Sequence, residues 1–105
     1  TDLEITKLCG LAIGLQFVRG GAFPNAYWFS EDGLTNNMIL YRPLHDDAQA
    51  MALVKKFKLF VLPPHASDKK PMWEVSDEEI LSCNADLNVA ICECVAKMQL
   101  AKAKP

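Results

Sequence analysis

The sequence lacks an apolar run long enough to cross a lipid bilayer. The longest candidates, Leu11–Leu15 and Leu59–Leu62, are far shorter than the roughly 18–20 residues that a spanning helix needs. The N-terminal residues are acidic and amphipathic, and they lack the basic-then-apolar order of a signal peptide. We therefore expect a cytoplasmic protein without a membrane partner.

The chain also lacks an excess of positive charge. Its 105 residues include 11 basic and 13 acidic side chains, which give a net charge of −2. Nucleic acids and anionic membranes attract proteins largely through positive charge, so this balance argues against them as partners. One group of lysines is a possible basic patch for single-stranded nucleic acid or a nucleotide. Its members are Lys55, Lys56, Lys58, Lys69 and Lys70. The simpler interpretation is that these lysines are solvated.

Motifs for a phosphate-binding loop, a nucleophile elbow and a zinc-protease helix are missing. The four cysteines are Cys9, Cys83, Cys92 and Cys94, and a reducing cytoplasm argues against disulfides. Two residues that are two positions apart on a helix point about 200° apart, so Cys92 and Cys94 are not expected to share a tetrahedral metal ion. We expect no metal, no cofactor and four small, buried or half-buried cysteines.

His45, Asp46 and Asp47 form the only compact titratable cluster. In a small hydrolase, His45 would be a general base oriented by Asp46. Alternatively, the two aspartates begin a helix, where their charge suits the positive helix end. We favour the helix start, because no nucleophile or oxyanion-binding feature accompanies the cluster. The sequence thus predicts a protein that is not an enzyme and has no catalytic residue.

Hydrophobic periodicity predicts three helices that alternate with two groups of strands in a single domain spanning residues 1–105. The last helix has the most regular apolar spacing and is expected to dock along one stripe. The predicted order is a helix at about 2–14, strands within about 16–42, a helix at about 46–57, strands within about 59–83 and a helix at about 85–101.

Leu59–Leu62 is a continuous apolar run without an obvious solvent side. Such a strand is typical of a sheet that is covered on both faces. Together with the three helices, it predicts an α+β protein: a small three-layer α/β/α sandwich with a mainly antiparallel sheet and the order α-β-β-α-β-β-α. The alternative is a two-layer α+β domain in which Leu59–Leu62 faces a partner subunit.

Three segments resemble small bacteriophage and prophage proteins of the phage α/β/α-sandwich domain group, which includes the NinX-like proteins. They are Tyr41–Leu53 with its Asp-led helix, Met72–Val75 with its tryptophan, and Ala85–Met98 with the sequence Ala-Ile-Cys. The resemblance covers roughly Tyr41–Met98, and residues 16–40 match less well.

The resemblance implies a phage accessory protein with a three-layer fold and no assigned activity. It supplies no catalytic residue. Its recurring positions are structural: Asp46 at a helix start, Trp73 in the sheet, and Ala90 and Ile91 in helix–sheet packing.

Aromatic residues are concentrated before the second helix, and they supply the candidate binding site. In a strand, Tyr27 and Phe29 would lie on one face and Trp28 on the other. One face packs in the core, and the other is a possible partner surface, because tyrosine and tryptophan are favoured at interfaces. The partner is expected to bind through this aromatic sheet face or through the loop Gly20–Asn25, and the predicted partner-binding residues are Phe23, Tyr27, Trp28 and Phe29.

The leading functional hypothesis is therefore a non-enzymatic interaction module that binds a host or phage macromolecule, with self-association as a possibility. The second hypothesis is a homodimer that sequesters a nucleotide or another small molecule in a pocket at its interface. The small hydrolase is the third.

Overall fold

The computed structural model describes residues 2–18, 27–30, 38–64 and 69–103. These residues form three helices and six strands, and the α+β class predicted from the sequence is confirmed. Each group of strands contains three strands, where the predicted order had two. The elements are α1 (Asp2–Ala12), β1 (Gln16–Val18), β2 (Tyr27–Ser30), β3 (Met38–Tyr41), α2 (Asp47–Phe57), β4 (Phe60–Leu62), β5 (Trp73–Ser76), β6 (Leu81–Asn84) and α3 (Leu87–Ala103).

The described strands form two separate antiparallel sheets, where the sequence predicted one. The first sheet has the order β1-β2-β3 and the second has the order β4-β5-β6. In the second sheet, Val61 lies opposite Val75, and Val75 lies opposite Ser82. This register places these three residues on one face of the sheet, since side chains alternate between faces along each strand.

Capping interactions explain where α2 and α3 begin. The Asp46 carboxylate accepts a hydrogen bond from the Gln49 backbone N–H at 3.0 Å, so Asp46 caps α2 as the sequence predicts. Asp86 does the same for α3, accepting from the Asn88 N–H at 2.9 Å. At the end of α2, Lys58 adopts a left-handed conformation with φ 52°, and its N–H donates to the Val54 carbonyl.

Gly14 ends the first helical segment two residues after α1. Its φ is +87°, a conformation that glycine adopts more readily than any residue with a Cβ. The Leu15 N–H then donates to the Gly10 carbonyl at 2.9 Å. This turn places the buried Leu15 against the core.

Helix α3 is the central element of the core. It contacts α1, α2, β5 and β6, and five of its residues have no exposed surface: Ala90, Ile91, Cys92, Cys94 and Val95. Consecutive helical residues point about 100° apart, so this set covers more than one side of the helix. The expectation that α3 docks along a single stripe is wrong.

Hydrogen bonds that involve side chains link α3 to α1, α2 and β6. The Cys9 thiol of α1 donates to the Cys92 carbonyl at 3.3 Å. The Asn88 amide donates to the Asp47 carboxylate of α2 at 2.8 Å. The Lys97 ammonium donates to the Leu81 carbonyl of β6 at 3.2 Å. These bonds fix the second sheet and two helices around α3.

The expectation that Leu59–Leu62 is covered on both faces is wrong. Leu59 is buried and Val61 is half-buried, but Phe60 is 64% exposed and Leu62 is 55% exposed. The reason is that β4 is an edge strand of its sheet and α3 packs on the face to which Val75 belongs. Among the described residues, the opposite face keeps these two large apolar side chains in contact with solvent.

Candidate functional site

The predicted aromatic site is only partly within the described residues. Phe23 lies outside them, whereas Tyr27, Trp28 and Phe29 lie in β2, the central strand of the first sheet. The backbone register pairs Tyr27 with Tyr41 of β3. The assignment of these residues to a partner surface stays a prediction.

All five lysines of the possible basic patch are exposed. Lys56 borders a cavity between the α1–β1 turn and α2. Lys58 borders a different cavity, next to the turn between β5 and β6. The two lysines thus face separate surroundings, and nucleic-acid binding through this group also stays a prediction.

The titratable cluster at the start of α2 has a structural role. Asp46 caps the helix, and the Asp47 carboxylate accepts a hydrogen bond from Asn88 of α3. His45 is exposed, and its backbone N–H donates to the Arg42 carbonyl at 3.0 Å. Both carboxylates therefore have structural partners, and this geometry supports the helix-start interpretation over a hydrolase site.

The second sheet presents an open face, which we call the β4–β6 face. The register places Ser76 opposite both Phe60 and Leu81, and Glu74 opposite both Leu62 and Cys83. The face therefore consists of Phe60, Leu62, Glu74, Ser76, Leu81 and Cys83, since paired residues lie on the same side of a sheet. Ser76 is half-buried and the other five residues are exposed. Leu81 is 53% exposed, close to the values for Phe60 and Leu62.

Burial is strongly asymmetric between the two faces of this sheet. On the α3 side, Val75 has no exposed surface and Ser82 is 2% exposed. The neighbouring residue in each strand points to the other side, where Glu74 and Leu81 are exposed. Soluble proteins commonly expose single apolar side chains, but here three large ones, Phe60, Leu62 and Leu81, are exposed on one face, with Ser76 and Glu74 of the central strand between β4 and β6. Grouped exposure of large apolar side chains marks an interaction site. The β4–β6 face is therefore the candidate functional site.

Negative charge borders this face at the turn between β5 and β6. The Asp77 carboxylate accepts hydrogen bonds from the Glu79 and Ile80 N–H groups at 2.9 and 2.6 Å and so fixes the turn. Glu78 and Glu79 are exposed. A cavity of about 430 Å³ joins this turn to the apolar residues at the beginning of β4, and its lining is Phe57, Lys58, Phe60, Asp77, Glu78 and Glu79.

A second cavity, of about 490 Å³, lies between the α1–β1 turn and α2. Ile13, Leu15 and Leu53 supply apolar wall surface, and Lys56 lies at its border. The Gln49 amide also lines the cavity, and its oxygen accepts a hydrogen bond from the Arg42 N–H at 2.6 Å. This bond fixes the orientation of the amide.

The cysteines differ from one another in exposure. Cys9, Cys92 and Cys94 are buried as expected, but Cys83 is exposed on the β4–β6 face, which corrects the expectation for that residue. All four are free thiols. A hydrogen bond with Cys9, followed by burial, raises the pKa of Cys92, and burial raises the pKa of Cys94 to about 11. The thiols of Cys92 and Cys94 therefore stay protonated near neutral pH and are poor nucleophiles.

Within the described ranges, no group of three or more histidine, cysteine, aspartate or glutamate side chains is placed to hold a metal ion. No helix in the described part of the chain is both long and apolar enough to cross a membrane.

Sequence reasoning gave an uncovered β4 only as its alternative, in which Leu59–Leu62 faces a partner subunit, and it missed the second cavity. Pro63 and Pro64 end β4, but prolines that follow a strand do not show which of its faces is exposed. The cavity has no local signal either, because its walls come from residues 13–15, 41 and 49–56.

Comparison of the chain with models of protein families, with curated protein sequences and with solved structures finds no match. The resemblance of Tyr41–Met98 to phage α/β/α-sandwich proteins is untested by these comparisons.

Proposed function

We propose that the protein is a non-enzymatic interaction module that binds an amphipathic, basic helix of a partner protein on its β4–β6 face. We further propose a phage or prophage origin and a cytoplasmic location in the host. The origin is supported by the resemblance of Tyr41–Met98 to phage accessory proteins. The location is supported by the balance of charge and by the four free thiols.

The exposure of three large apolar side chains on one sheet face carries the proposal. Phe60, Leu62 and Leu81 each keep more than half of their surface in contact with solvent. Covering an apolar side chain of this size contributes about 1.5–3 kcal/mol when burial is complete. Their exposure in the isolated chain is therefore energetically costly, and a partner that covers them gains that energy.

The dimensions of the face favour a helix as the occupant. Three strands that are roughly 4.8 Å apart span a face about 10–14 Å wide, which matches the diameter of one helix with its side chains, about 10–12 Å. On the opposite face, the helix α3 packs against β5 and β6. A partner helix on the open face would complete a three-layer α/β/α arrangement, with the third layer supplied from another chain.

The charges around the face favour a basic helix. Glu74 lies on the central strand of the face, and Glu78 and Glu79 lie at its border. Among the described residues that line the adjoining cavity, Lys58 is the only one with a positively charged side chain. Lysine or arginine on the partner would meet these carboxylates, and such complementarity selects partners and speeds association.

Selection of peptides from a displayed library against the immobilised full chain tests this proposal. We expect enriched peptides with apolar residues at i, i+3, i+4 and i+7 and with lysine or arginine beside them. Each selected peptide is then synthesised, and its affinity is measured by fluorescence anisotropy at low and at moderate salt. Affinity is expected to fall as salt screens the carboxylates.

Matched variants locate the binding site. Phe60→Thr removes the largest side chain of the face and should weaken binding at least about tenfold, as truncation of a central aromatic anchor does. Leu11→Gln is the control, because Leu11 is 51% exposed but lies on α1. Three results would each contradict the proposal. The selected peptides would lack helical spacing, or they would bind the Phe60→Thr chain as tightly as the wild-type chain. The third is a second copy of the chain that covers the face, seen as a dimer in sedimentation equilibrium.

A further inference from the structure

The cavity between the α1–β1 turn and α2 is independent of the β4–β6 face. Its volume, about 490 Å³, lies within the range of about 300–1,000 Å³ that is typical of small-molecule sites. Ile13, Leu15, Ala52 and Leu53 give it a mainly apolar lining. Leu15 and Leu53 are held in place by the core, since both belong to the buried cluster around α3.

The described lining of the cavity carries one positive charge. Among the described residues that line it, Lys56 is the only lysine or arginine, and none is an aspartate or a glutamate. Lys56 is exposed on α2, so its ammonium group stays hydrated at the mouth while the apolar walls lie further in. An ammonium group at the edge of an apolar site attracts an anionic head group.

We propose that this cavity binds a small apolar molecule with a single negative charge, such as a medium-chain carboxylate. The apolar part of the ligand fills the space between Leu15 and Leu53, and the carboxylate meets Lys56. The Gln49 amide, oriented by the Arg42 N–H, lies in the same wall as a polar contact for the head group. A nucleotide fits less well, because its phosphates are recognised by several charged or backbone N–H donors together.

Titration of the ¹⁵N-labelled chain with sodium decanoate tests the site directly. We expect saturable shifts in the amide signals of Ile13, Leu15, Leu53 and Lys56. Decanol and decylammonium test the charge, and adenosine monophosphate tests the nucleotide alternative. Decanoate is expected to bind about two- to fivefold more tightly than decanol, as an exposed ion pair allows, and more tightly than decylammonium or the nucleotide.

Four variants test where the ligand binds and whether the charge of Lys56 matters. Ala52→Phe places a ring in the cavity at an exposed helix position and should weaken decanoate binding at least about tenfold, because the ring takes up the ligand's space. Lys56→Gln should remove the preference for decanoate over decanol. Lys55→Gln is the matched control, because Lys55 is also exposed on α2 but does not line the cavity. Phe60→Thr, which lies on the separate β4–β6 face, should leave decanoate binding unchanged.

Several results would overturn this assignment. They are the absence of saturable shifts in the wild-type chain, decanoate affinity that survives in a folded Ala52→Phe variant, and a Lys56→Gln chain that still prefers decanoate. Tighter binding of the nucleotide would also overturn it. Because the wild-type titration needs no substitution, the proposal stays testable even if Ala52→Phe does not fold.

Discussion

Replacement of Ile91 by alanine is expected to lower the free energy of unfolding by about 2–5 kcal/mol, the usual range for removing a buried branched side chain. Ile91 lies in the middle of α3 and has no exposed surface. Because α3 contacts two helices and the second sheet, a cavity at this position lies where several elements meet. A loss of this size is a large fraction of the total stability of a small domain, about 5–15 kcal/mol.

Urea-induced unfolding followed by circular dichroism measures this loss. The matched control is Leu100→Ala on the same helix, where the side chain is 49% exposed and alanine is the better helix former. We expect that control to change the free energy of unfolding by less than about 0.5 kcal/mol. Equal effects of the two substitutions would show that α3 does not lie at the centre of the core.

The second large effect is a loss of stability at alkaline pH. Burial raises the pKa of Cys94 from its ordinary value of 9.0 to about 11. Above pH 9 the thiol of the unfolded chain ionises while the folded chain still binds the proton. Because the unfolded chain then holds fewer protons than the folded chain, the free energy of unfolding falls as the pH rises from about 9 to about 11.

The expected loss between pH 8 and pH 11 is on the order of 2 kcal/mol, because one unit of pKa difference corresponds to about 1.4 kcal/mol. Cys92 and Tyr41 act in the same direction, since the pKa of each is also raised, that of Cys92 chiefly by its hydrogen bond with Cys9 and that of Tyr41 chiefly by burial. Urea unfolding at pH 8, 9, 10 and 11 measures the decline.

A Cys94→Ala chain should show a shallower decline over the same pH range. Cys83→Ala, which removes an exposed thiol, is the control and should keep the full slope. Stability that is constant or rising from pH 9 to pH 11 would contradict the burial of these groups.

The helices were predictable from local signals. Asp46 and Asp86 supply the caps of α2 and α3 through hydrogen bonds within three residues along the chain. Such contacts depend only on nearby sequence, so a capping residue followed by a periodic apolar pattern is sufficient to identify them. The burial of Cys92 was expected because cysteine behaves as a small apolar residue, but its neighbour was not predictable in this way. Cys92 lies against Cys9 of α1, a contact that no nearby sequence signal indicates.

The faces of β4 were not predictable from its composition. Leu59 and all three residues of β4 are apolar. Because no polar residue alternates with them, the sequence gives no sign of which side of the strand meets solvent. The exposed side is decided by the position of α3, which comes 25 residues later in the chain. Likewise, Ile13 and Lys56 meet at one cavity only because α1 and α2 pack on the same core.

The free energy of unfolding of Phe60→Thr, compared with that of Val75→Thr, tests the one-sided packing of the second sheet most directly. Threonine suits a strand at both positions, so a change in strand propensity contributes little to either loss. We predict a loss below about 1 kcal/mol for Phe60→Thr, as is usual at a surface position, and a larger loss of about 1–3 kcal/mol for Val75→Thr, where a hydroxyl enters a dry core. A loss of about 3 kcal/mol or more for Phe60→Thr, as for a buried phenylalanine, would contradict an open β4–β6 face.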